Sequence, residues 1–298
     1  MLGQDMSGLA SFQFFPAAAP LSVFVEYLYS SHVPREFMGL VDPMRLPEVE
    51  AQIVFAIEEG DVFPGGQWLG GGERACLFMQ PGHLQMIPIP GSIRAAVGAA
   101  LRPAGLRILM PKGSGELFNA PLIALEDIWG APARELLEKM VACGTSSARL
   151  KVLEQFLRER AFGAAAPSRA VVRAVELIRS AHGEISTERL AEACGCSSRT
   201  LRNLTVAETG LAPKHLARVV RIRRALDLLS VAGVPLSDTA MASAFSDQAH
   251  MSREFRELIG APPSDLSQRL RSGAVPSFSA ERSLMSTGLL VMPKPVAP

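Results

Sequence analysis

Apolar positions along the chain change their period near residue 131, and the change separates two kinds of structure. Before it, the short apolar runs Gln52–Ile57, Ala75–Met79, Leu84–Ile89 and Ile93–Ala100 alternate with Pro- and Gly-rich breaks. Strand-length runs separated by turn chemistry predict a β-sandwich or small barrel over residues 10–130. After it, the spacing is helical. Leu150, Leu153, Phe156 and Leu157 mark one face of a helix from about Ala148 to Arg160, within a helical extension at 131–162. The small, uncharged Gly163–Pro167 then reads as a domain boundary.

Residues 168–270 carry the most regular pattern. A helix from about Ser168 to Ala181 ends at Gly183, and two helix-turn-helix units follow. In the first, Ser186 caps a helix with Leu190 and Ala191 inward, Gly195 makes the turn and Ser197 caps a second helix. Leu201 and Leu204 form that helix's buried face, and Gly210 stops it. In the second unit, Ser237 and Ser246 are the expected caps, Ala240 faces inward and Gly260 closes. Leu201, Gly210 and Pro213 pair with Met251, Gly260 and Pro263 at an offset of 50, whereas Ala191 and Gly195 pair with Ala240 and Ala244 at 49. The second turn is therefore one residue longer. Between the units, Pro213 opens a connecting helix that buries Leu216, Val219, Val220, Ile222, Leu226 and Leu229. Residues 271–298 show no sustained period and several prolines, and they read as a disordered tail.

Composition narrows the classes. At 298 residues and 48% apolar, the chain can bury two ordinary cores. No apolar run has the length of a membrane span and the start shows no signal-peptide pattern, so a cytoplasmic protein without a membrane partner is expected. The net charge of +1 hides a split: residues 1–160 hold 13 Lys/Arg against 17 Asp/Glu, and residues 161–275 hold 15 against 11. The basic half is the candidate for a polyanion. The four cysteines suggest no disulfide framework, and Cys194 with Cys196 lacks the second pair a zinc site needs. Only five histidines exist, two of them in the first 160 residues, so His32 and His83 with Glu26 or Glu73 make a poor metal set. No metal, cofactor or catalytic residue is expected. No nucleophile elbow, Walker loop or H-E-x-x-H helix is present.

Three motifs carry a family resemblance: L-A-x-x-x-G-x-S-x-R-x-L at 190–201, R-x-R-R-A-L at 221–226 and F-S-D-Q-A-H-M-S-R-E-F at 245–255. With them, residues 169–270 resemble the DNA-binding domain of AraC/XylS-type transcription regulators. Three departures from that pattern are visible: Ala244 for the turn Gly, Met251 for an aromatic, and Leu204-Thr205 for Phe-Lys. The last implies a missing phosphate-contacting cation at Thr205. The first half resembles the β-rich, cupin-like domain of a subset of the family through Pro16–Tyr29, the Gly98–Gly105 stretch G-x-x-L-R-P-A-G, and Leu125–Gly130. The implied fold is α+β, a cupin-like domain followed by an all-α double helix-turn-helix domain.

The expected base-reading positions lie opposite the buried face of each second helix. They are Ser198, Arg199, Arg202 and Asn203 in the first unit, and Gln248, Ala249, His250, Ser252 and Arg253 in the second. Arg suits guanine and Asn or Gln suits adenine, each by paired hydrogen bonds. A bracing role is the alternative for Arg199, a turn-bonding role for His250, and a solvated face for the others. Arg218, Arg221 and Arg224 on the connecting helix are candidates for phosphate contacts. Phe55, Trp68, Phe78, Met79 and Met86 are candidates for either a pocket wall or plain core. The implied partner is double-stranded DNA, with RNA polymerase, a small-molecule effector and a second copy of the chain as further candidates. An enzyme or interaction module fused to a helix-turn-helix targeting domain is the alternative.

Overall fold

The computed structural model describes residues 11–32, 44–45, 50–57, 76–79, 87–88, 95–106, 122–231 and 233–271. The tail expected beyond Arg271 lies outside them, as do Trp68, Glu73, His83 and Met86.

The first half is a six-stranded antiparallel sheet in the order β1-β2-β7-β4-β5-β8. Its strands are β1 (Ser11–Pro16), β2 (Val25–His32), β4 (Ala51–Ala56), β5 (Cys76–Met79), β7 (Ala95–Leu101) and β8 (Leu122–Ala124). The short β3 (Met44–Arg45) and β6 (Ile87–Pro88) pair separately. The central strands β4 and β7 are buried at every position, which is why they read, Gln52 apart, as continuous apolar runs rather than an alternation. Phe55 is fully buried core. His32 ends β2 in an exposed position.

Helices α1 (Leu125–Trp129), α2 (Ala131–Ala142) and α3 (Ser146–Ala161) follow. Thr145 caps α3 by accepting the Ala148 N–H at 3.2 Å. Leu136, Met140, Leu153 and Leu157 share one core with Ile53, Val97 and Leu101 of the sheet. On the face of β7 that joins this core, the small side chains of Ala95 and Ala99 leave room for α3 to cross it. The helical extension expected at 131–162 thus packs as part of the first half.

A second core holds the helical half. Its elements are α4 (Arg169–Ser180), α5 (Thr187–Ala193), α6 (Ser198–Thr209), α7 (Pro213–Ser230), α8 (Leu236–Ala242), α9 (Gln248–Ile259) and α10 (Pro263–Arg271). Pro213 begins α7, where its missing N–H costs nothing. With 18 residues, α7 is about 27 Å long at 1.5 Å per residue. Leu216, Val219, Ile222, Leu226 and Leu229 are buried along it, with Val220 half-buried.

Candidate nucleic-acid interface

The two helical pairs are near-copies. α5 and α8 are both 7 residues long, and α6 and α9 are both 12. In the first pair Ser186 accepts the Arg189 N–H at 3.2 Å and Ser197 accepts the Thr200 N–H at 3.1 Å, so one orphan donor at each helix start has a local acceptor. Gly195 turns the chain at φ +67°, and Gly210 and Gly260 close α6 and α9 in the left-handed conformation. The Cys196 and Phe245 N–H groups make the same turn bond, to the carbonyls of Ala191 and Ala240. Ser246 is therefore the extra residue of the longer turn. Cys194 and Cys196 pack against the core at this turn, and burial pushes the Cys194 thiol up.

That extra residue displaces the cap expected for the second helix of the second unit. Asp247, not Ser246, caps α9, its carboxylate accepting the His250 N–H at 2.6 Å. This bond, ahead of smaller effects, holds the Asp247 carboxyl below the usual carboxylate range. Ser246 instead bonds the His250 Nδ1, with its Oγ 3.0 Å away. Ser237 does not cap α8 either: the helix starts on Pro235, whose carbonyl accepts both the Thr239 N–H and hydroxyl.

Ala244 takes the turn position of Gly195 at φ +58°. An L residue pays about 1 kcal/mol for that conformation. Ala244→Gly is expected to raise stability by about that amount, read as a higher denaturant midpoint. An unchanged or lower midpoint would mean the turn relaxes away from the left-handed region.

The exposed face of α6 carries Arg199, Arg202 and Asn203, with Ser198 half-buried beside the cap. On α9 the exposed face carries Gln248, Ala249 and Arg253, with His250 and Ser252 half-buried. Both sets sit in the first half of their helix, the part a docked helix brings to base edges. Sequence reading passed over Arg256, exposed on α9 one position past the buried Phe255.

The His250 ring is held on three sides. Ser246 holds its Nδ1, the Phe245 ring meets it edge-on at 5.5 Å, and a Glu254 oxygen lies 3.8 Å from Nε2. Glu254 in turn accepts from the Arg218 Nε at 3.0 Å, while Arg218 Nη2 reaches Glu257 at 3.1 Å. This chain of contacts braces α9 against α7. Arg221 leans inward, its guanidinium 5.8 Å from the centre of the Phe245 ring. Arg224 is half-buried with its Nε enclosed. The arginine stripe of α7 is thus turned largely toward the protein.

Thr205 is not where a missing cation would be. With Gly210 matched to Gly260, Thr205 falls on the fully buried Phe255, and exposed Val206 falls on Arg256. The departure is therefore Thr205-Val206 against Phe255-Arg256, one residue later than expected. It exchanges a buried aromatic for a threonine whose hydroxyl bonds the Leu201 carbonyl at 2.7 Å.

Residues 190–269 match a family described as a helix-turn-helix domain. The chain is 32% identical over 85 residues to the HTH-type transcriptional activator RhaS of Escherichia coli (strain SE11). That match covers 28% of this chain and 31% of the relative's length. Among solved structures, a probable AraC family transcriptional regulator from Rhodopseudomonas palustris CGA009 is 30% identical, over 35% of this chain and 99% of that one, with a TM-score of 0.32. ToxT from Vibrio cholerae O395 is 12% identical over 88% of this chain and 97% of that one, with a TM-score of 0.42. Among the described residues no helix is long and apolar enough to cross a membrane.

Proposed function

We propose that the chain is a sequence-specific transcription regulator of double-stranded DNA of the AraC type, with residues 190–269 as its helix-turn-helix domain. One observation carries this reading. Two helical pairs of matching length, linked by one 18-residue helix, each expose an arginine and an amide side chain on the first half of the second helix. Reading helices need that arrangement to enter two successive major-groove segments, about 34 Å apart. Arg199, Arg202 and Asn203 on α6 and Gln248 and Arg253 on α9 are the base-reading residues. Ser198, Ala249 and Ser252 line the same faces. His250 positions α9 through Ser246, and Arg218 and Arg221 brace it, so neither arginine is assigned to phosphate. Arg224 keeps that assignment, with Arg256 added on α9.

The first half is the sensing or dimerising part, in which residues 131–162 share one core with the sheet of 10–130, and residues 168–270, built on the second core, are the DNA-binding domain. Function of this kind is exercised where the chromosome and RNA polymerase are, in the cytoplasm, and it calls for no catalytic step. Arg253→Ala tests the assignment. It is expected to relax base preference at one position of one half-site, by about 1–3 kcal/mol for a paired guanine contact. An equal loss of affinity for all sequences would make Arg253 a phosphate contact instead, with the salt slope falling by about 0.9.

A further inference from the structure

The inward faces of α6 and α9 differ in kind. On α9 the residues at the last three inward positions are Phe255, Leu258 and Ile259; on α6 they are Thr205, Glu208 and Thr209, all three buried. The hydroxyls of Thr205 and Thr209 turn back on the helix, to the carbonyls of Leu201 and Thr205, each at 2.7 Å. Glu208 accepts the Ser168 N–H at 3.0 Å and so holds the start of α4. The second unit has an aromatic filling of its own, with Phe245 and Phe255 at 6.4 Å. The first does not.

What covers α6 comes from the other half of the chain. The short turn Pro103–Gly105, which directly follows β7, is buried at all three residues and packs against α6 and α4. Ala104 belongs to the core of the helical half, although its neighbours Leu101 and Leu106 belong to the core of the sheet. Charges flank this contact. Arg102 lies 3.3 Å from Glu26, Arg179 of α4 lies 4.0 Å from Glu26, and its Nη2 is 2.6 Å from Glu50, a carboxylate only 5% exposed. Glu26 is on β2 and Glu50 leads into β4, the two strands that flank β7.

We propose that the Pro103–Gly105 turn completes the core of the first helix-turn-helix unit, so that the state of the sheet controls DNA reading by α6 and leaves α9 unaffected. The partner this surface fits is therefore within the chain: a small apolar turn against a helix face whose threonines are too short to close their own core. Because the turn continues the central strand β7, any event that shifts β2, β7 or β4 moves it against α6. The control over reading rests on α6 and α9 being reading helices; the completed core does not.

Hydrogen exchange and half-site footprinting on the full chain test both parts. Ala104→Asp puts a charge into the contact, and Arg179→Ala removes the ion pair without touching the turn. In both variants α6 amides are expected to exchange about tenfold faster, with α9 amides unchanged. Protection of one half-site should weaken about tenfold and the other should hold within about twofold. Adding Thr205→Leu to Ala104→Asp, which gives α6 an apolar filling of its own, should restore much of the α6 protection. Equal loosening of α6 and α9, or unchanged α6, would overturn the proposal. Selective loosening of α6 with no DNA protected by any variant would support the shared core and remove the reading function instead.

Discussion

Phe255→Ala is expected to destabilise the helical half by about 3–5 kcal/mol, the range for truncating a fully enclosed aromatic. The Phe255 side chain has no exposure, and it packs in one core with Phe245, Met251 and Ile259. The cavity left behind cannot collapse easily, because α9 is tied to α7 by Arg218 through Glu254 and Glu257. Denaturant unfolding of the full chain, followed by a probe of helix content, measures the loss. Thr205→Ala at the matching position of α6 removes one hydroxyl that bonds its own helix, and a change of about 1 kcal/mol or less is expected. Similar costs at the two positions would contradict the different ways in which the two units build their cores.

Gly183→Ala is the second large effect, about 2–4 kcal/mol, and it has two sources. Gly183 follows α4 at φ +79°, its N–H donating to the Ile178 carbonyl at 2.8 Å. An L residue there pays the left-handed term of about 1 kcal/mol. A Cβ would also overlap the Ala217 backbone carbonyl of α7 and crowd the Arg221 side chain, so α4 and α7 would have to part. Gly195 separates the two costs. It has φ +67° but open space around a Cβ, so Gly195→Ala should show the backbone term alone. If the two substitutions cost the same in denaturant unfolding, the close approach of Gly183 to α7 is not a feature of the native protein.

Most of the helical half was legible because its signals are local. Ser186, Ser197, Gly210 and Gly260 act on their own helix ends, and the 49- and 50-residue offsets give the longer turn without any tertiary information. The caps of the second unit differ from the expected ones for two separate reasons. Once the turn gains Ser246, a carboxylate one residue along outcompetes a hydroxyl, and Pro235 can supply a helix start with no side-chain acceptor. β4, β5 and β7 were legible as apolar runs. β1 and β8 were not: Gln13 interrupts the apolar residues of β1, and β8 has only three residues before α1 begins. The contact between the halves had no local signal at all. Glu50 and Arg179 are 129 residues apart, and the one hint was a polar stripe, Thr205, Glu208 and Thr209, where the internal repeat calls for apolar residues.

The reading positions were named from helix geometry, and the structure places Arg199, Arg202, Asn203, Gln248, Ala249 and Arg253 on exposed faces. Exposure is necessary for a base contact and does not by itself make one. Selection of random DNA by the purified full chain, sequenced at a stated salt concentration, tests the central claim most directly. The expected result is one enriched motif with two unlike half-sites about 10 base pairs apart, because α6 and α9 carry different readers on one connecting helix. Enrichment of a single short site, or of no site above non-specific binding, would contradict the claim that both units read DNA.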